Sequence, residues 1–279
     1  MSLPDVTSRL MTRWVHCAAG LLGLVIIATL SACATVGNVA APALDPMLES
    51  QAIEQYSQMV DKGAVSKDDA NYQRVSAVAD RIIAAVAVYE NEVADEDRIF
   101  SFDSASNFDW EVNVFDSDQK NAFVMPGGKM AVFNGILPIA KDDDGLAAIV
   151  GHEVAHALLR HGRERVVKRI GVSGAISILS GASGASTEVI RLAGMGANYG
   201  LILPWSRGDE TEADELGLVL STIAGYEPAA AVGVWERMSE GGGTAPPEFM
   251  STHPSHDTRI SNLSELAPKY REQFSRYRK

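Results

Sequence analysis

The chain has 279 residues, a 46% hydrophobic fraction and a formal net charge of −12 at pH 7. That length suits one domain, or one domain with a helical appendage, and that hydrophobic content suits a chain that buries a real core. The acidic balance argues against non-specific binding to nucleic acid, which needs clustered Lys and Arg, so no nucleic-acid partner is expected.

The first stretch reads as a targeting segment. Arg9 and Arg13 introduce an apolar run from Trp14 to Leu30, closed by Leu30-Ser31-Ala32-Cys33. A basic start, an apolar middle and a small-residue ending are the marks of a secretory signal, here over residues 1–32. The ending matches the bacterial lipobox, whose Cys is lipidated and becomes the mature N-terminus. Cys33 is therefore the expected lipidation site, and the membrane a partner through that lipid. Ala34, where an Asp would retain the protein in the inner membrane, directs it to the periplasmic face of the outer membrane. The alternative is a short transmembrane anchor, although the run falls slightly below the roughly 20 apolar residues of a spanning helix. Met11 is an alternative start, because residues 1–10 resemble no signal element. Both Cys, Cys17 and Cys33, lie in this region, so no disulfide or thiolate metal site is expected beyond it.

Residues 33–45, rich in Ala, Val and Pro, read as a flexible tether, and a single domain is expected over 46–279. Met47, Leu48, Ile53, Tyr56, Met59 and Val60 give one apolar helical face. A second helix is expected over 69–93, with Val75, Val78, Ala79, Ile82, Ile83 and Val86 at 3.6-residue spacing. Ile99, Phe100 and Phe102, then Trp110, Val112 and Val114, alternate with polar residues and predict strands. The stretch 121–133 predicts two strands about a Gly127-Gly128 turn, with Pro126 at a strand end or on an edge. Asp142-Asp143-Asp144 predicts the cap of a long helix over 146–168. The uncharged run 170–187 reads as a small-residue helix, and only weakly as a membrane-dipping segment. Further helices are expected over 209–224, 228–239 and 255–266. The fold class that follows is α+β and mainly helical.

The chemistry concentrates in Gly151-His152-Glu153-Val154-Ala155-His156. On a helix His152 and His156 lie about 40° apart, so both imidazoles can reach one zinc ion. Glu153 stands beside them as a general base for an attacking water. Two His and a Glu within the apolar run Ile149 to Leu159 would be costly to bury without such a task. A third ligand must come from elsewhere. In Arg207-Gly208-Asp209-Glu210-Thr211-Glu212-Ala213-Asp214, Glu210 and Asp214 share a helix face. A carboxylate is an accepted third zinc ligand, which suits Glu210, and Asp214 would then accept a hydrogen bond from the outer N–H of a ligand His. Glu212, about 200° around the helix from Glu210, faces elsewhere. His161, about 140° around a continuous helix from His156, reads as a polar contact near the helix end, and His256 as a surface residue.

H-E-V-A-H at 152–156, S-R-x-x-E-x-E-A-D-x-x-G at 206–217 and S-T-H-P at 251–254 followed by Arg259 occur in that order, behind N-A-F-V-M-P-G-G at 121–128. Together they resemble the HtpX-like, CAAX-prenyl-protease-related family of gluzincin metallopeptidases over roughly residues 50–268. The chain resembles that family's soluble periplasmic lipoprotein branch, without the tetratricopeptide repeats that some members carry. The resemblance implies a zincin-like domain with a small β-sheet beside the zinc helix. It implies one zinc ion on His152, His156 and Glu210, Glu153 as base, and Asp214, Arg207 and Arg259 as supporting residues. It brings His253 near the metal, either as a fourth ligand that holds the enzyme idle or as a donor to the transition state. It makes Phe123, Val124, Met125 and Gly127 an edge that pairs with an extended substrate. The implied activity is hydrolysis of misfolded or misassembled envelope proteins, with the outer-membrane assembly machinery a possible partner. Alternatives are a processing protease dedicated to one substrate, or a non-catalytic assembly factor, which would have no need of Glu153.

Overall fold

A computed structural model describes residues 45–102, 105–166, 205–240, 248–253 and 257–279. The signal, Cys33, nearly all of the tether, the run 170–187 and His256 lie outside the described residues.

Helix α1, Asp45–Gly63, starts one residue before the expected domain boundary. Helix α2, Ala70–Asn91, is capped by Asp69, whose carboxylate accepts from Asn71 N at 2.8 Å and Tyr72 N at 3.2 Å. The stretch 99–102 is not a strand. Its backbone is tied to a side chain instead: the Tyr89 hydroxyl accepts from Ile99 N and Phe100 N and donates to Phe100 O at 3.0 Å. A buried phenol thus supplies the partners a neighbouring strand would have given.

The sheet has three strands, β1 Glu111–Phe115, β2 Ala122–Met125 and β3 Lys129–Phe133, in the order β1-β3-β2. β1 runs parallel and β2 antiparallel to β3, and the turn between β2 and β3 places Gly127 and Gly128 at φ 83° and 87°, a region that L side chains rarely adopt. Period-two alternation sends Val114, Ala122, Met130 and Val132 into the main core. It sends Phe115, Phe123, Met125 and Ala131 to the opposite face, where α1 covers them with Ala52 and Tyr56.

A short helix α3, Leu137–Ala140, precedes helix α4, Asp143–Leu158. Asp142 caps α4 by accepting from Gly145 N at 3.0 Å. α4 is buried almost all round, packed by α2, by β2 and by two later helices, α5 (Arg207–Ile223) and α6 (Ala230–Glu240). It does not run on to 168: Leu159 ends it, Arg160 takes φ 56°, and a new helical stretch begins at His161. Ser206 and Asp209 close a reciprocal capping box on α5, at 3.2 and 3.1 Å.

A short helix α7, Glu248–Thr252, was not expected. The last helix, α8, spans Asp257–Phe274 and passes through Pro268, well beyond the expected end at 266. Pro268 and Ser264, whose carbonyl loses its partner, both lie on the exposed face, where water can satisfy it. Ala267, Tyr270 and Phe274 keep the inner face buried. No described helix is long and apolar enough to cross a membrane.

Candidate active site

Three chain segments converge on one point. α4 contributes His152, Glu153 and His156, α5 contributes Glu210 and Asp214, and the end of α7 contributes His253, all of them buried. His152 Nε2 and His156 Nε2 are 3.1 Å apart, and His253 Nδ1 lies 3.2 Å from the former and 2.9 Å from Glu210 Oε1. One donor atom from each of His152, His156, Glu210 and His253 falls within 4.8 Å of all the others. The helices approach closely enough because the glycines Gly151 and Gly217 face each other. A Cβ on Gly217 would stand 3.0 Å from His152 N.

The surrounding groups orient this set. Asp214 Oδ1 lies 3.1 Å from His152 Nδ1, on the side of the ring away from the cluster. Arg259 grips Asp214 with two hydrogen bonds, Nε to Oδ2 at 2.6 Å and an Nη to Oδ1 at 2.7 Å, and donates to Glu210 as well. Its guanidinium lies 3.4 Å over the Trp235 ring. Trp205 stacks on His156 with centroids 4.4 Å apart, and Phe249 stacks on His253 at 4.2 Å.

Electrostatics divides the acidic groups. Burial by itself raises the pKa of Glu210, but His253, His156 and Arg259 outweigh it and hold the carboxyl well below its usual range. Burial likewise raises Asp214, and Arg259 and His152 bring it below its ordinary value. Glu153 goes the other way: burial pushes it up to about 7, against opposing contributions that include His253 and a hydrogen bond from the Val124 backbone. Burial also lowers His152, and lowers His156 far, which keeps both imidazoles neutral as metal ligands must be.

His253 Nε2 is 3.3 Å from Glu153 Oε1 but is not aligned for a hydrogen bond, so that buried carboxylate oxygen has no hydrogen-bond partner. Three imidazoles and one carboxylate, converging beside such an oxygen, suit the N and O preference of zinc. The set could hold a single zinc ion.

The sequence-derived residues are distributed as follows. His152, His156, Glu210 and His253 meet, with Glu153 against them and Asp214 and Arg259 behind. Arg207 stands exposed on the first turn of α5, where it lines a cavity together with Glu210, Asp214 and Arg259. Phe123, Val124 and Met125 lie on β2, one of the two outer strands of the sheet, and the Val124 backbone is the part that bonds Glu153. Gly127 belongs to the turn, where its carbonyl accepts from Asp109 N. His161 departs most from expectation: it is buried, with Nδ1 2.9 Å from His156 Nδ1 and Nε2 3.2 Å from Glu212 Oε2. A separation of about 140° holds only along one continuous helix, and Gly162 next to His161 is the signal in the sequence of a break. Trp205, Trp235 and Phe249 carry no pattern that sequence reasoning could assign to a site.

Comparison with known proteins bears on the same residues. The profile of Peptidase family M48 matches residues 91–267. The mitochondrial metalloendopeptidase OMA1 of Schizosaccharomyces pombe is 39% identical over 206 residues, covering 72% of this chain and 60% of that protein. The human mitochondrial metalloendopeptidase OMA1 is 34% identical over 175 residues, 59% of this chain and 33% of its own length. The beta-barrel assembly-enhancing protease of Yersinia pestis is 26% identical over 164 residues, 55% of this chain and 34% of its own.

Proposed function

The chain belongs to peptidase family M48, and from that premise we propose that it is a zinc endopeptidase of the bacterial envelope that hydrolyses misfolded or misassembled envelope proteins. The observation that carries the reading is the convergence of four buried donors beside Glu153, whose inner oxygen lacks a hydrogen-bond partner. Zinc held there would act as a Lewis acid, activating water and polarising the scissile carbonyl. Glu153 takes the proton of the attacking water and passes it to the leaving amine, a role suited to a carboxyl whose pKa lies at about 7. Asp214, gripped by Arg259, keeps the proton of His152 on Nδ1 and its lone pair on Nε2. The outer edge of β2 at Phe123, Val124 and Met125 takes the substrate as an added strand, beside Glu153. Strand addition reads backbone rather than side chain, which suits unfolded protein substrates, within a zincin-like domain.

His253 acts as a brake in this reading. Its Nδ1 lies among the donor atoms, so His253 would serve as a fourth protein ligand and leave water no place on a bound zinc. The alternative is a donor to the oxyanion.

Location follows from the first segment. Mitochondrial presequences are amphipathic and rich in Arg and Ser, whereas 14–30 is a continuous apolar run ending in Leu-Ser-Ala-Cys. This supports a lipid on Cys33 and a place at the outer membrane, near the β-barrel assembly machinery. In location, though not in sequence identity, this reading likens the chain to the relatives named for barrel assembly rather than to the mitochondrial ones.

The test is digestion of an unfolded casein-type substrate, with zinc analysis, before and after chelation. Zinc-dependent cleavage of many sites is expected. Cleavage of no unfolded substrate would favour the dedicated processing enzyme, and zinc binding without any peptidolysis the assembly factor. Mass spectrometry of the mature N-terminus tests the lipid, and an unmodified Cys33 would remove the anchoring proposal.

A further inference from the structure

We propose that His161 and Glu212 form a hydrogen-bond chain that sets the tautomer of His156, so that a lone pair on Nε2 faces the metal position. The inference rests on the reading of His152, His156 and Glu210 as zinc ligands.

The assignment follows from which groups can donate. A carboxylate oxygen accepts, so His161 Nε2, 3.2 Å from Glu212 Oε2, carries a hydrogen. With that hydrogen on Nε2, His161 presents the lone pair of Nδ1. That atom is 2.9 Å from His156 Nδ1, and such a contact needs one N–H and one lone pair, so His156 Nδ1 donates. Neutral His156 is left with its lone pair on Nε2, the nitrogen 3.1 Å from His152 Nε2 and 3.4 Å from Glu210 Oε1. The opposite tautomer would aim an N–H at the cluster and could not ligate.

Three features make the chain hold. His156 and His161 are both buried, so water does not compete for the bond between them. The Glu212 side chain is 54% exposed, so its charge stays in contact with water while it accepts. Trp205 stacked on His156 fixes the plane of that ring, leaving a flip about Cβ–Cγ as its main freedom, and the bond to His161 opposes the flip. The backbone is shaped to the same end. Arg160, at φ 56°, turns His161 back towards His156, where a continuous helix would carry it about 140° away. His152 receives its carboxylate directly from Asp214; His156 receives one through an intervening imidazole.

His161 and Glu212 are thus positioning residues, and zinc affinity is the readout. On the purified full chain, His161→Leu is expected to raise the zinc dissociation constant by roughly 10–100-fold in competition with a chromophoric chelator. His161→Asn places an acceptor Oδ1 where Nδ1 stood and is expected to recover most of the affinity. Glu212→Ala is expected to weaken zinc less than His161→Leu, and to add nothing once His161 is Leu. Wild-type affinity in His161→Leu would overturn the relay. So would equal loss in the Leu and Asn variants, or additive losses at 161 and 212, since packing alone predicts those. If His161→Leu does not fold, Glu212→Ala decides: at an exposed position it perturbs no core, and unchanged zinc affinity there overturns the relay. A wild-type chain that binds no zinc would overturn the zinc reading and the relay with it, whereas wild-type binding with indifferent variants overturns the relay alone.

Discussion

Glu153 and Glu210 are both buried carboxyls within one cluster, yet their surroundings set them to different tasks. Glu210 has Arg259 and the His rings against it and stays ionised; Glu153 has an oxygen without a hydrogen-bond partner and a pKa raised to about 7. Glu153→Gln is therefore expected to keep zinc and fold while losing proteolysis by about 10²–10⁴-fold, measured as turnover of an unfolded substrate. Retained turnover would remove Glu153 as the base. His253→Ala is expected to raise turnover, because it takes a donor out of the cluster. A loss approaching the 10²–10³-fold typical of a removed oxyanion donor would assign it the other role. Unchanged turnover and zinc affinity would leave it a packing residue under Phe249.

Helix α4 is positioned by helix α5 through a crossing that tolerates no side chain. A Cβ on Gly217 would meet His152 N at 3.0 Å and Gly151 C at 3.2 Å, all backbone. Overpacking of this kind costs about 1–3 kcal/mol, partly offset by about 1 kcal/mol of better helix propensity for Ala. The larger effect of Gly217→Ala is expected on geometry: pushing α5 off α4 moves Glu210 and Asp214 away from His152. Zinc affinity should fall clearly while urea stability changes by at most about 2 kcal/mol. Gly208→Ala, whose Cβ would meet only Ser206 Oγ at 3.8 Å, is the control and should leave zinc affinity unchanged while adding at most about 1 kcal/mol of stability. Equal behaviour of the two variants would show that the crossing has slack.

For the whole molecule, the cluster links metal to fold. Its donors come from α4, α5 and α7, segments far apart in the chain, so an ion held between them stabilises the native state by mass action. At free zinc about 1,000 times the dissociation constant the contribution is about 4 kcal/mol. In a domain of this size that corresponds to a fall in melting temperature of roughly 8–16 °C on chelation. Scanning calorimetry with and without chelator measures it, and coincident melting curves would mean that the cluster does not bind metal tightly.

What could be read from the residues alone was whatever depends on local spacing. The His152 and His156 pair, Glu153 between them, the choice of Glu210 over Glu212, the Asp69 and Asp142 caps and the Gly127-Gly128 turn all follow from periodicities within one element, where the backbone dictates which side chains share a face. The tertiary structure decided what depends on packing between elements. Ile99, Phe100 and Phe102 alternate with polar residues like a strand, but among the described residues no strand pairs with them, and the Tyr89 hydroxyl bonds the backbone of Ile99 and Phe100 instead. The last helix was expected to end at 266, but the burial of Tyr270 and Phe274 carries α8 on through Pro268. His161 lies on the wrong side of a regular helix, and a single left-handed residue at Arg160 brings it against His156. Spacing predicts contacts only while the helix or strand continues. Where the chain stops repeating, the contacts are chosen by burial and by the need to satisfy buried polar groups, which requires the partners from the rest of the fold.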